Sequence, residues 1–356
     1  MAGYVYVLGA GFSHGFNNEM FPLVRNFLPL AKANNFYDPE GKHHQLASII
    51  ATYFGDPLYY DIEKVLSFLS AHPFYYRTIP YEHRSVAYDE LVELISLSLS
   101  KALQEPSVSS ETAHAYRKFV QHLTDTESTV ITFNYDLLLE KLLIETTSWQ
   151  PNYGYGVHIP LTYEAMPTSP HTYLHQQLSE YTDMRWHKVT LLKMHGSINW
   201  GTPTFVADKS EDIFQAPVKD GIPESELAIK TDYGAPFTLQ FKPVIVPPVL
   251  DKSSWLQNRS FRVIWNMAME AVAEADQITF IGYSLPTTDF MAEFMFRQGI
   301  NLITKERKVT VVDPCPTDEL KRRYKSIFDL PGLVTFLSFK KCNVVEYVNE
   351  VLCLNS

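Results

Sequence analysis

The chain has few cysteines. There are three, Cys315, Cys342 and Cys353, and no two stand as C-x-x-C. A Cys-rich zinc site is thereby excluded and a disulfide framework is not expected. No apolar run approaches the ~20 residues of a membrane span. The N-terminus opens on a strand-like segment, not on a basic and apolar signal peptide. Basic charge is also in deficit: 30 Lys and Arg face 40 Asp and Glu, for a net charge of −10. Broad nucleic-acid binding needs a basic face and is not expected. The clusters at Lys305-Glu306-Arg307-Lys308 and Lys321-Arg322-Arg323 read as solvated faces. Internal repeats and low-complexity segments are missing too. A soluble cytoplasmic protein is expected.

What remains is 356 residues, 46% of them hydrophobic, enough for one large α/β domain with a sizeable core. Tyr4 to Leu8 reads as a buried strand ending at Gly9-Ala10-Gly11, with a helix expected to follow. Such a turn either lets backbone N–H groups approach a phosphate or simply joins strand to helix. The G-x-G-x-x-G pattern is incomplete, since His14 stands where the third Gly would be. Residues 20 to 125 are expected to be mostly helical, on the spacing of Asp61 to Leu69 and Tyr88 to Leu103. A block of that length between two strands reads as an insertion covering a cleft.

Ser128 to Phe133 is a β-branched run and a second strand. It ends in Asn134-Tyr135-Asp136, and Leu137 to Ile144 reads as a helix that Asp136 could cap. Residues 149 to 188, rich in Tyr, Pro and His, read as a long loop. His171 and His175 are four apart but have no carboxylate partner at a motif distance, so no metal site is expected. Val189 to Met194 is a third strand, closed by His195-Gly196-Ser197. Histidine there either bonds to backbone in the core or exchanges a proton near neutral pH.

Residues 201 to 241, with scattered Gly and Pro, read as an excursion from the sheet, followed by a short strand, Pro243 to Pro248. Helices are expected over Trp255–Ala275, Asp289–Gln298, Thr317–Phe328 and Val344–Leu352. Strands are expected over Gln277–Gly282, Lys308–Val312 and Gly332–Leu337. Five strand ends thus carry Gly-Ala-Gly, Asn-Tyr-Asp, His-Gly-Ser, Gly-Tyr-Ser and Asp-Pro. This predicts a Rossmann-like parallel sheet flanked by helices, with a polar rim along its carboxyl edge. Asp313 in the last of these ends is either a turn residue or an acceptor for a ribose diol.

Gly9-Ala10-Gly11-Phe12-Ser13, Thr132-Phe133-Asn134-Tyr135-Asp136, His195-Gly196-Ser197 and Gly282-Tyr283-Ser284 resemble, in order and approximate spacing, the nucleotide-site motifs of the sirtuin fold. The likeness runs from Val5 to about Val351. The variant resembled is the bacterial SIR2-like NADase group of anti-phage defence, not the protein deacylases. The resemblance implies one SIR2-like domain over 1–356 and an NAD site on the carboxyl edge of the sheet. It implies a pyrophosphate cradle at Gly9–Ser13. Asn134, Asp136, Thr132 and Tyr135 would lie beside the nicotinamide ribose, and His195, followed by Gly196, would be the catalytic histidine. Gly282, Tyr283 and Ser284 would form a second turn on the cofactor, with Asp313 near the adenosine ribose. The four-Cys zinc ribbon of the deacylases cannot be built here. Phe133 and Tyr135 replace their Gln and Ile, and Pro22 and Arg25 are loose counterparts of their cofactor loop.

The expected activity is hydrolysis of NAD to nicotinamide and ADP-ribose, with NAD as substrate and no metal. His195 is expected as general base, Asn134 as orienting group, and Asp136 as negative charge near a developing cation. Three other classes stay open: a deacylase or ADP-ribosyltransferase with a protein acceptor, a non-catalytic NAD or ADP-ribose sensor, and a dehydrogenase. The dehydrogenase reading is the weakest, because no acidic residue has a clear place ~20 residues after the glycine turn. Since free NAD cleavage would be toxic, control by homo-oligomerisation or by a separately encoded activating or inhibiting subunit is expected.

Overall fold

The apolar runs read as strands do pair in parallel, and their carboxyl ends lie level. The computed structural model describes residues 3–23, 26–55, 61–70, 81–104, 108–157, 159, 188–203, 213–216, 218–219, 222–223, 226–231, 234–246, 258–331, 333 and 335–352. In chain order the strands are β1 (Tyr4–Leu8), β2 (Thr129–Thr132), β3 (Thr190–Lys193), β4 (Gly196–Pro203), β5 (Phe214–Gln215) and β6 (Val218–Lys219). They continue with β7 (Ile222–Pro223), β8 (Glu226–Thr231), β9 (Gly234–Ile245), β10 (Gln277–Ile281), β11 (Arg307–Val312) and β12 (Thr335–Lys340).

Six of them form one parallel sheet in the order β12-β11-β10-β1-β2-β3. From β1 the chain steps outward through β2 and β3, then returns to the other side of β1 and steps outward again through β10, β11 and β12. This is the doubly wound order, and its switch point, where a ligand crevice opens beyond the carboxyl ends, lies between β1 and β10. One rung crosses the whole sheet, through Lys193, Thr132, Leu8, Ile281, Val312 and Lys340. The chain leaves that rung at His195, Asn134, Gly9, Gly282 and Asp313 on one edge.

The inner strands are apolar because helices cover both faces. Val5, Val7, Leu8, Val130, Ile131, Leu191 and Ile278 are all buried. β12 is an edge strand, and its residues alternate between half-buried and exposed, with Phe336 59% exposed. The last strand, expected over Gly332–Leu337, is Thr335–Lys340 among the described residues.

Helix Ser110–Asp125 is capped by Ser109, which accepts the Thr112 N–H at 3.1 Å. It buries Tyr116, Phe119, Val120 and Leu123, and the Phe119 ring meets Tyr6 edge-on at 5.2 Å. On the way from β1 to β2 the chain also forms helices Phe27–Ala33, His44–Tyr53, Ile62–Ser70 and Tyr81–Gln104. Helices Arg259–Glu274, Phe290–Leu302 and Asp318–Phe328 follow the later strands. Each starts at a side-chain cap, from Asn258, Asp289 and Thr317 respectively. The closing helix is α-helical only over Val344–Tyr347 and continues as a π turn over Val348–Leu352.

The excursion expected at 201–241 begins earlier, at Gly196, and its described part is largely β-structure. β4, β5, β8 and β9 form an antiparallel sheet in the order β5-β4-β9-β8, beside a small β6-β7 hairpin. The stretch around Pro243 is the end of β9 in this second sheet. Between residues 149 and 188 the described part contains one helical turn, Pro151–Gly154. His171 and His175 lie outside the described residues, as do His72, Arg25, the prolines at 247 and 248, Trp255 and Cys353. No helix among the described residues is long and apolar enough to cross a membrane.

Candidate active site at the switch point

A cavity of about 630 Å³ sits over the rung, within the range of roughly 300–1,000 Å³ usual for ligand pockets. Residues from β1, β2, β3, β10 and β11 ends line it from below. Phe21, Phe27, Ile62, Glu63, Ile95 and Leu99, from the helical stretch between β1 and β2, also line it.

Gly9 and Gly11 enter the site first. Their amides are already engaged: Gly9 N–H donates to the Ile281 carbonyl at 3.1 Å and Gly11 N–H to the Gly282 carbonyl at 2.9 Å. Phe12 N–H turns back to the Gly9 carbonyl at 2.9 Å. The glycine turn is therefore first a packing device, and the amides it can turn to a ligand are fewer than a cradle of the full motif would supply.

Asn134 ties this turn to β2. Its Nδ2 donates to the Gly9 carbonyl at 3.0 Å and to Ser13 Oγ at 3.2 Å, and its backbone N–H donates to Thr132 Oγ1 at 3.2 Å. Asp136 completes the link. It accepts from the Ser13 hydroxyl at 2.8 Å and from the Leu138 N–H at 3.0 Å, so its carboxylate both holds Ser13 and serves the start of helix Leu138–Thr146.

His195 stands in a two-residue turn between β3 and β4. Gly196, at φ +81°, makes the chain reverse there; a Cβ on it would lie 2.1 Å from the Val244 carbonyl oxygen. The His195 carbonyl accepts the Val246 N–H at 2.8 Å, which fixes its backbone. Its ring lies edge-on to Phe133 at 5.1 Å and near Tyr135 at 6.2 Å. Its Nε2 is 2.8 Å from Asp289 Oδ2, with the two side chains 4% and 0% exposed. Asp289 also caps helix Phe290–Leu302 by accepting the Ala292 N–H at 3.3 Å.

On the other side of the switch point, Gly282 has φ +61° and abuts Gly11. The Tyr283 ring stacks on Phe133 at 4.4 Å and 10°. Its hydroxyl is buried and has no partner among the described residues. Ser284 and Asp313 line the cavity beyond it, and Asp313 Oδ1 accepts the Cys315 N–H at 2.7 Å.

The cavity thus brings together His195, Asn134, Asp136, Gly9, Ala10, Gly11, Ser13, Tyr135, Gly282, Tyr283, Ser284 and Asp313. Phe12, Thr132 and Gly196 do not line it. Phe12 packs against Tyr116 and Phe119, Thr132 bonds to the Leu8 carbonyl at 3.3 Å, and Gly196 only shapes the turn. Sequence reasoning missed Asp289 and Glu63. Asp289 was visible only as the first residue of a helix, and Glu63 as part of an amphipathic one.

Charge in the cavity is one-sided. Glu63, Asp136, Asp289 and Asp313 line it, and none of the described lining residues is Lys or Arg. The phenols of Tyr135 and Tyr283 are pushed well up, chiefly by burial. The carboxylates of Glu63 and Asp289 add to this in Tyr135, and those of Asp289 and Glu63 in Tyr283. Below the floor, Lys193 Nζ is 2.7 Å from Glu140 Oε1 and 2.6 Å from the Asp136 carbonyl. That buried pair braces the Asn134–Asp136 turn from beneath. No group of three or more His, Cys, Asp or Glu able to hold a metal occurs among the described residues.

No family model matches the chain, and no curated protein matches it. Comparison with solved structures returns sirtuins. One is a SIR2 in complex with an inhibitor, 2′-O-acetyl-ADP-ribose and a deacetylated peptide (TM-score 0.41, 10% identity, 99% of this chain and 94% of that one). Another addresses sirtuin substrate affinity (TM-score 0.41, 12% identity, the same coverage). A third is a Sir2 homologue mutant with ADP ribose (TM-score 0.39, 14% identity, 99% and 94%). At these values the likeness is one of broad arrangement, and the strand order and cavity above carry the weight.

Proposed function

We propose that the cavity binds NAD⁺ and hydrolyses its nicotinamide–ribose bond, giving nicotinamide and ADP-ribose. The observation that carries this reading is the convergence of His195 and Asn134, which are 61 positions apart, on one end of a crevice at the switch point of a doubly wound sheet. A dinucleotide laid along the rung crosses the sheet with its pyrophosphate near the Gly9 and Gly282 turns. Its nicotinamide ribose then falls toward Asn134 and His195, and its adenosine toward Asp313.

The residues suit that substrate's charge. The nicotinamide ring is cationic, and the acidic lining favours it over a neutral ring. In the reaction the C1′–N bond breaks and its electron pair goes to the ring nitrogen, which becomes neutral, so no general acid is needed. Positive charge develops on the ribose, where Glu63, Asp136 and Asp289 supply compensating field. Water bonds to C1′, and its proton passes to His195. Asn134 positions the ribose and water, provided its hydrogen bonds to the Gly9 turn stay in place.

The resemblance to the defence-associated group adds the role of an effector that depletes NAD in an infected cell. It also adds gating by self-assembly or a separately encoded subunit. Incubation of the full chain with NAD⁺, with identification of products, tests the chemistry. Nicotinamide and ADP-ribose in equal amounts support it. Binding without consumption makes the protein a sensor, and release only in the presence of an acyl-lysine peptide makes it a deacylase. Rapid turnover by the dilute, isolated chain contradicts the gate.

A further inference from the structure

Asp289 is the least exposed of the four carboxylates in the cavity, at 1%, and its two oxygens have separate tasks. Oδ1 caps helix Phe290–Leu302 through the Ala292 N–H. Capping needs only one neutral oxygen, and Asn or Ser serves equally well. Oδ2 is 2.8 Å from His195 Nε2, in a place closed to water, as a charge contact and not an aligned hydrogen bond. A carboxylate set against an imidazole determines which ring nitrogen carries the proton of the neutral form and stabilises the imidazolium. Phe133 and Tyr135 pack against the ring, Asp136, Tyr283 and Glu63 line the same cavity, and no Lys or Arg is among the described cavity residues. The Phe133 and Tyr135 rings pack against the imidazole and limit its turning.

We propose that Asp289 is a positioning residue for His195. Its carboxylate holds the neutral ring as the Nε2–H tautomer and stabilises the protonated ring that forms when His195 accepts a proton. The pairing itself follows from the geometry; its catalytic consequence rests on the NAD-cleavage reading.

The test uses the full chain labelled with ¹⁵N-histidine, with the His195 signals assigned by their loss in His195→Gln. In the unmodified protein the neutral His195 ring is expected as the Nε2–H tautomer. In Asp289→Asn, which keeps the helix cap, the His195 titration midpoint is expected to fall by about one pH unit or more. Nicotinamide release should fall about 100-fold in kcat with a much smaller change in KM. A neutral ring protonated on Nδ1 in the unmodified protein overturns the proposal, as does an unmoved titration in Asp289→Asn. If that variant does not fold, the tautomer of the unmodified protein decides alone. Failure of the unmodified chain to release nicotinamide even at high protein concentration, where self-assembly is favoured, would overturn the NAD reading while leaving the tautomer result standing.

Discussion

Gly11 donates its backbone N–H to the Gly282 carbonyl at 2.9 Å, and each residue occupies the space where the other's side chain would be. A Cβ on Gly11 would lie 2.7 Å from Gly282 Cα, and one on Gly282 would lie 2.5 Å from the Gly11 carbonyl carbon. The two turns that bracket the switch point are thus locked back to back. Their spacing defines the floor of the crevice before any ligand arrives.

Gly282→Ala meets both a backbone clash and a positive φ. It should lose about 2–4 kcal/mol of stability, read by urea unfolding. A loss within a few tenths of a kcal/mol would mean that the turns part without cost and that the floor is not rigid.

Asn134→Ala removes two donated hydrogen bonds from the Gly9 turn and should cost about 1–2 kcal/mol. Its nicotinamide release should drop about 100-fold or more. His195→Gln keeps a polar group opposite Asp289, should change stability little, and should lose turnover to a similar degree. Full turnover in a folded Asn134→Ala would reduce Asn134 to a structural tie.

Glu140 is raised from its ordinary value of 4.5 by burial, which Lys193 opposes. With Lys193→Met the opposition goes, and the carboxylate is left buried without its cation. The expected loss is about 3–5 kcal/mol near neutral pH, with most of it recovered when Glu140→Leu is added. The sign of the pH dependence follows from the raised value. The folded chain binds the Glu140 proton more tightly than the unfolded chain, so stability is full below 4.5 and is lost as pH rises through the folded value. The deficit of Lys193→Met should therefore shrink toward about pH 4 and grow toward about pH 8. A deficit constant over that range would mean that Glu140 does not titrate in this way.

Much of the sheet is legible in the sequence because its strands are buried on both faces. Val5 to Leu8, Val130 to Phe133 and Ile278 to Ile281 are runs of β-branched, aromatic and aliphatic residues, and a polar or glycine residue ends each one at the rim. The second sheet is less legible. Phe237, Leu239 and Phe241 alternate with Thr238, Gln240 and Lys242, a half-buried strand signal, but scattered Gly and Pro on either side mask it. Asp289 could not be read as a site residue at all. Asp is an ordinary cap at a helix start, and its pairing with a histidine 94 positions earlier exists only after β3 and the helix Phe290–Leu302 are brought together. Glu63 has the same disability, since the covering helices have no register with the strands until they pack.

On the proposed NAD reading, the rung also bears on which dinucleotide the cavity takes. β3 and β11 are four strand steps apart, about 19 Å at the usual spacing. With the reactive ribose at His195 as proposed, the adenosine ribose would reach the end of β11, where Asp313 stands half-buried with one oxygen held by the Cys315 N–H. A carboxylate there accepts both hydroxyls of a ribose diol and repels a 2′-phosphate. No Lys or Arg among the described lining residues offsets that repulsion. NAD⁺ is therefore expected to exceed NADP⁺ in kcat/KM by about tenfold or more, since one unfavourable charge contact costs at least 1.4 kcal/mol or so. Asp313→Asn retains an acceptor for the Cys315 N–H but removes the charge. It should lower kcat/KM for NAD⁺ a few-fold and narrow the ratio by raising NADP⁺ use. An unchanged ratio in that variant would place the adenosine ribose elsewhere and reverse the direction in which the substrate is laid along the rung.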